Sequence, residues 1–206
     1  MAICIESSRR RGTSQHLVPA EGTESLHDWN TVITLYEEPR AFRRARNLLR
    51  QLGEVAPTEF HNVLVLRAEN VRGFLRDLSA MCDAEPGILN DVSRAVPLTD
   101  VFDFNTPEEF EDKARAIALS WAPQLAGHSF YVRLHRRGLK GAIKSPEEER
   151  FLDEALLSAL EAAGGPGRIR FEDPDFVIDV ETVGYRAGMS LWTREDLHRY
   201  EFLKVG

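Results

Sequence analysis

Two stretches of this chain concentrate positive charge without any intervening acid, and phosphate binding is the chemistry such stretches can do. The first holds Arg40, Arg43, Arg44, Arg46 and Arg50, with no Asp or Glu between Pro39 and Gly53. Arg43, Arg46 and Arg50 follow steps of three and four residues, so a helix would set them on one face, opposite its leucines. The second is RLHRRGLKGAIK, where Arg133, His135, Arg136, Arg137, Lys140 and Lys144 precede the next acid, Glu147. Gly138 and Gly141 would let the backbone approach an anion closely. A helix opening at Pro146 would turn its free N–H groups toward the same place.

Other chemistries find less support. Asp179 and Glu181 stand two residues apart and would share one face of a strand, an arrangement that could serve acid/base or metal work. Placement on the solvent side of a half-buried strand is the simpler expectation for them. The six histidines form no HExxH or other paired spacing, and Cys4 and Cys82 form no CxxC, so neither a zinc site nor a disulfide framework is expected. GGPGR at 164–168 lacks the Lys-Ser/Thr ending of a phosphate loop and follows a helical pattern, so it reads as a helix stop. No GxSxG elbow occurs, and no cofactor is expected.

The elements that must position these residues follow from periodicity and punctuation. Residues 1–28 are polar and carry Arg9, Arg10 and Arg11, the pattern of a flexible arm. Thr31–Tyr36 reads as a strand. A helix with Pro39 at its first turn follows, burying Phe42, Ala45, Leu48, Leu49 and Leu52 and ending at Gly53. Strands are expected at 55–60, edge-like because of Pro57, and at 62–67. A helix carries Val71, Phe74, Leu75, Leu78 and Met81, and one strand spans 96–104. That order over residues 29–104 is the βαββαβ, ferredoxin-like pattern.

Residues 105–206 form a second unit. Thr106-Pro107-Glu108-Glu109 and Ser145-Pro146-Glu147-Glu148 read as capping boxes for two helices, the first of which should stop before Pro123. Between them Ser129–His135 alternates, with Phe130, Val132 and Leu134 on one side and Tyr131, Arg133 and His135 on the other. Strands are expected at 168–171, 176–183 and 187–192, with a short helix after Thr193. The fold class is α+β.

The chain has 33 acidic and 26 basic side chains among 206 residues, a net charge of −7. An acidic total argues against a simple nucleic-acid binder, but a phosphate backbone meets one face only, so segregation outweighs the sum. No apolar run approaches the roughly 20 residues that span a bilayer, and the N-terminus has no apolar signal core. A cytosolic location with no membrane partner is the expectation.

The second unit resembles the THUMP family. The resemblance is carried by Phe130, Val132, Arg133, Arg136 and Arg137, then Asp173-Pro174-Asp175, then Ile178, Val180 and Glu181, with RAVPLTDVFDF before them. It covers roughly residues 92–206, with a ferredoxin-like companion on the N-terminal side. It implies a THUMP-like α/β module that, with its companion, holds tRNA by the acceptor stem and 3′ end. In such proteins the catalytic domain is separate, and this chain ends soon after its last expected strand. The resemblance therefore implies a tRNA-binding adaptor without catalysis, working beside a modification enzyme such as an acetyltransferase. Arg133, Arg136, Arg137, Lys140 and Lys144 would contact phosphates, Arg43, Arg46 and Arg50 would extend the footprint, and His135 or Tyr131 would meet an unpaired end. Two alternatives stay open: a protein-interaction module with little RNA affinity, and an enzyme using Asp179, Glu181 or His135.

Overall fold

The computed structural model describes residues 26–38 and 40–204. The expected N-terminal arm lies outside them except for its last three residues, and so do Arg9, Arg10, Arg11 and Pro39. The elements run β1 (Thr31–Leu35), α1 (Ala41–Leu49), β2 (Glu54–Pro57), β3 (Val63–Arg67), α2 (Val71–Ala84), a 3-10 turn (Pro86–Asn90) and β4 (Val92–Pro97). They continue with β5 (Asp100–Asp103), α3 (Pro107–Ser120), α4 (Ala122–Leu125), β6 (Ser129–Arg137), α5 (Ser145–Ala162), β7 (Arg168–Ile169), β8 (Phe176–Val183), β9 (Arg186–Thr193) and α6 (Arg194–Arg199).

The first half is ferredoxin-like. Its four strands lie in the order β2-β3-β1-β4, every neighbouring pair antiparallel. β2 is an edge, as Pro57 requires, since a proline donates no ladder hydrogen bond. α1 and α2 are held by their apolar stripes: Ala41, Ala45 and Leu49 from α1, and Phe74, Leu75, Leu78 and Cys82 from α2, are buried. Asn70 caps α2 by accepting the Gly73 N–H at 2.7 Å.

The second half is the THUMP-like α/β module, a five-stranded sheet in the order β5-β9-β8-β6-β7. β6 is parallel to β7 and β8, while β9 is antiparallel to β8 and β5. Phe130, Val132, Leu134, Ile178, Val180, Ala187 and Met189 lie in one core with Phe110, Ala114 and Ala118 of α3 and Leu152, Leu156 and Leu160 of α5. The opposite face meets the first half: Trp192 and Val183 belong to that half's core, with Leu98 and the C-terminal Tyr200, Phe202 and Leu203. The C-terminal segment also reaches the outer edge of β4, where Ala95 N–H donates to the Phe202 carbonyl at 2.9 Å.

Two local expectations need correction. The strand expected over 96–104 is two strands in two sheets. The chain leaves β4 at Pro97 and crosses at Leu98 and Thr99, and β5 pairs with β9. The crossing is tight: a Cβ on Gly188 of β9 would stand 2.6 Å from the Leu98 side chain. A continuous β-pattern in sequence does not mark such a change of partner. The helix from Pro107 ends at Ser120, before Pro123 as expected, and Pro123 then sits in the first turn of the separate α4. At α5, Ser145 does not cap. Lys144 holds the N-cap position without a side-chain bond, and Glu148 is buried. By contrast, Thr106 accepts the Glu109 N–H at 3.2 Å, and an unforeseen capping box joins Thr193 and Asp196 on α6.

β6 is flanked by β7 only at Ser129 and Phe130, so its later N–H groups on that side would lack partners. Two carboxylates one turn apart on α5 supply them. Asp153 Oδ1 accepts the Val132 N–H at 3.0 Å and Glu149 Oε1 accepts the Leu134 N–H at 2.8 Å. This is edge protection by acidic side chains in place of a strand. Burial pushes the Asp153 carboxyl up to about 7. A value raised in the folded state above the unfolded one stabilises in acid, and that contribution is lost as pH climbs toward 7. D153N keeps an acceptor oxygen and removes the loss. The melting temperature of D153N relative to the unsubstituted protein is expected to rise between pH 4 and pH 8 by several degrees, each kcal/mol being worth about 2–4 °C in a chain of this size. A difference that stays flat or falls with pH would overturn this account of the edge.

Candidate nucleic-acid interface

β6 presents Tyr131, Arg133, His135 and Arg137 on the face opposite α5, as its alternation demands. Parallel pairing sets Arg133 beside Asp179 and His135 beside Glu181. Asp179 and Glu181 are fully buried, which corrects the expectation that they face solvent. The reason lies in the other half of the molecule. Arg94, on β4, donates through Nη2 to Asp179 and through Nη1 to Glu181, and its Nε donates to the Lys204 carbonyl. Arg137 donates to Glu181, and its Nη2 donates to Thr34 Oγ1 of β1 at 2.7 Å.

Two guanidiniums thus balance two carboxylates at the junction of the sheets. Burial pushes Asp179 upward against the pull of Arg94. For Glu181 the same burial is outweighed by Arg94 and Arg137, which hold it below the usual range. His135 is driven down to about 4, first by burial and then by the positive Arg94, so its imidazole is neutral at neutral pH. One ligand atom each from His135, Asp179 and Glu181 lies within 4.8 Å of the others, a spacing that suits one cation. The charge does not suit it: a divalent ion would add two positive charges to a site that Arg94 and Arg137 already neutralise. The same pairing leaves these carboxylates poorly placed for acid/base work on a substrate.

The expected phosphate contacts are distributed as follows. Arg137 is committed to the buried network and its side chain is only 14% exposed, so it does not present a free charge. Arg133 is half-buried, 3.7 Å from Glu149, with its guanidinium 5.6 Å above the Tyr131 ring. Arg136 donates to the Gly138 carbonyl. Lys140 is exposed and makes no ion pair among the described residues, and Lys144 is exposed and bonded to Glu147 at 2.9 Å. Gly138 does not open toward solvent. It adopts φ +89°, and a Cβ there would sit 3.2 Å from Phe60 of the first half; Gly141, at φ +90°, has open space around it. The start of α5 is taken by Glu147 and Glu148 in its first turn, so the helix dipole already has anionic side chains beside it.

On α1, Arg43 and Arg50 are exposed and Arg46 is half-buried. None of them forms an ion pair among the described residues, whereas Arg44 bonds Asp91 and Glu38. The α1 group lies in the first half and the β6 group in the second.

Several residues matter that their spacing did not announce. Arg94 gave no sign of its partners, which lie 85 and 87 residues away. Arg168 and Arg170 flank Ile169 on and just after β7, exposed and without ion pairs among the described residues. An alternating Arg-Ile-Arg at an expected strand was the available signal. Asp175 latches the loop before β8 onto the start of β6, accepting the Ser129 N–H at 2.8 Å and its hydroxyl at 2.6 Å.

No protein-family model and no curated protein sequence matches the chain. Among solved structures, the fold is similar to that of PH1313 from Pyrococcus horikoshii Ot3, with 12% identity, a TM-score of 0.57, and coverage of 79% of this chain and 54% of that one. TrmN from Thermus thermophilus aligns at 19% identity and a TM-score of 0.49, over 78% of this chain and 44% of that one. A 4-thiouridine synthetase in an RNA complex with bound ATP aligns at 16% identity and a TM-score of 0.46, over 79% and 41%. The chain spans about half the length, or less, of these three proteins. No helix among the described residues is long and apolar enough to cross a membrane.

Removing one member of a buried ion network strands the others, at a cost of about 3–5 kcal/mol. R94M should therefore lose stability on that scale in urea or guanidinium titrations. R94M/D179N, which leaves Arg137 facing Glu181 alone, should recover part of it. A double substitution no more stable than R94M would show that Arg94 acts through packing and not charge.

Proposed function

We propose that this chain binds structured RNA, tRNA by its acceptor stem and 3′ end, and presents it to a separate modification enzyme such as an acetyltransferase, performing no catalysis itself. One observation carries the reading. In a chain with 33 acidic side chains to 26 basic ones, Arg43, Arg46, Arg50, Arg136 and Lys140 are left outside every ion pair of the described residues. A fold that pairs Arg94 and Arg137 with carboxylates at the sheet junction, yet leaves these cations without an acidic partner, has them available for an anion from outside.

Two further cations can be recruited. The Lys144–Glu147 pair is exposed on both sides, and such pairs are worth only about 0–1 kcal/mol, so a phosphate can replace the glutamate. Arg133 reaches Glu149 only at 3.7 Å and keeps donors to spare. Exposed Arg and Lys on a rigid strand and helix bind a phosphate backbone largely by releasing its counterions, which makes affinity fall with salt. The THUMP-like architecture supports assignment of the RNA as tRNA, and the resemblance in sequence supports the role of adaptor.

Fluorescence anisotropy titration of a labelled tRNA across a range of salt concentrations tests this. The logarithm of affinity should fall linearly with the logarithm of salt concentration. K140A and R43A should each reduce the magnitude of the slope by about 1. R137A should show itself first as lost thermal stability. Absence of tRNA binding even at low salt would overturn the proposal.

A further inference from the structure

Phe171 is 67% exposed, the most open large hydrophobic side chain described, and the fold makes little use of it. Its ring stands against Tyr131, with centroids 5.3 Å apart and planes at 49°. Tyr131 is itself nearly buried and lies under the Arg133 guanidinium. The loop that displays the phenyl ring is fixed at both ends. Before it, the Arg170 N–H donates to the Phe130 carbonyl at 3.0 Å. After it, Asp175 is tied to Ser129, and Arg194 bonds both the Asp173 carbonyl and the Asp175 carboxylate. Arg168 and Arg170, three residues and one residue before Phe171, are exposed on the same short segment.

We infer that Phe171, backed by Tyr131, is a stacking platform for a single unpaired nucleobase, whose flanking phosphates are met by Arg168 and Arg170. The inference rests on the RNA-binding reading and adds to it a place and a chemistry for the single-stranded part of the ligand. The physical argument has three parts. An exposed phenyl ring on a pinned loop loses little entropy on binding. Its free face matches the flat π-surface that every base offers, and stacking on an aromatic side chain is how proteins hold unpaired bases. One ring with two guanidiniums is also too small and too charged for a protein interface, which needs roughly 800 Å² from each partner.

The test uses the full chain and two RNAs: one stem with blunt ends, and the same stem with a four-nucleotide 3′ overhang carrying 2-aminopurine. The unsubstituted protein should prefer the overhang RNA by at least about fivefold, the effect of one stacked base, and should quench 2-aminopurine. In F171A the preference should fall to near one and the quenching should vanish, while F171W should keep both. Thermal melts check that F171A is folded, as its exposure predicts. If both RNAs bind but F171A keeps the preference and the quenching, or if no preference exists at the outset, the platform is overturned and the RNA-binding reading stands. If neither RNA binds, both fall.

Discussion

The burial of two carboxylates on one strand is the constraint around which the molecule is arranged. Asp179 and Glu181 sit on β8 with no exposure to solvent, and an unpaired buried carboxylate would cost several kcal/mol. Each needs a cation, and the cations come from different places: Arg94 from the last strand of the ferredoxin-like sheet, and Arg137 from the neighbouring strand β6, whose guanidinium also bonds Thr34 of β1. Satisfying the charge therefore requires the two sheets to lie at one relative position. The apolar contacts of Leu98, Trp192 and the C-terminal Phe202 and Leu203 fill the surrounding space, but apolar packing tolerates repacking in a way that a geometrically matched ion network does not.

The same arrangement decides what is left for a ligand. Once Arg137 is consumed inside and His135 is made neutral by burial and Arg94, the cations left for the proposed ligand are those on α1, on the loop after β6, and on and just after β7. Glu149 and Asp153 illustrate a similar division of labour. They are spent on the open edge of β6, so these two acids near the basic strand are structural. The overall negative charge of the chain thus exaggerates the repulsion that an approaching phosphate would meet, because carboxylates held by N–H groups and guanidiniums have their fields largely compensated locally.

The features behind the family resemblance mostly turn out to hold the fold together. Asp175 of the Asp173-Pro174-Asp175 stretch is a latch to Ser129. Glu181, Arg137 and Arg94 meet in the buried network. Phe130, Val132, Ile178 and Val180 are core. Such residues report architecture dependably and say little about which surface binds, which is why Phe171, Arg168 and Arg170, outside that set, carry the more specific inference about the ligand.

The sequence by itself determined the local elements and the order of the folding units. Alternation at Ser129–His135, helical stripes in α1, α2, α3 and α5, and the Thr106 cap all depend on neighbours within a few residues, so their physics is written locally. It also made the segregation of positive charge visible. Only the tertiary structure decided which charges remain at the surface, because that depends on partners far away in the chain. Arg94 and Asp179 are 85 residues apart, and nothing in the alternation of β8 distinguishes a face turned to water from a face turned to another sheet. The split of 96–104 into β4 and β5 has the same origin: a strand's pattern fixes its two faces, but its hydrogen-bonding partners are chosen by the fold around it.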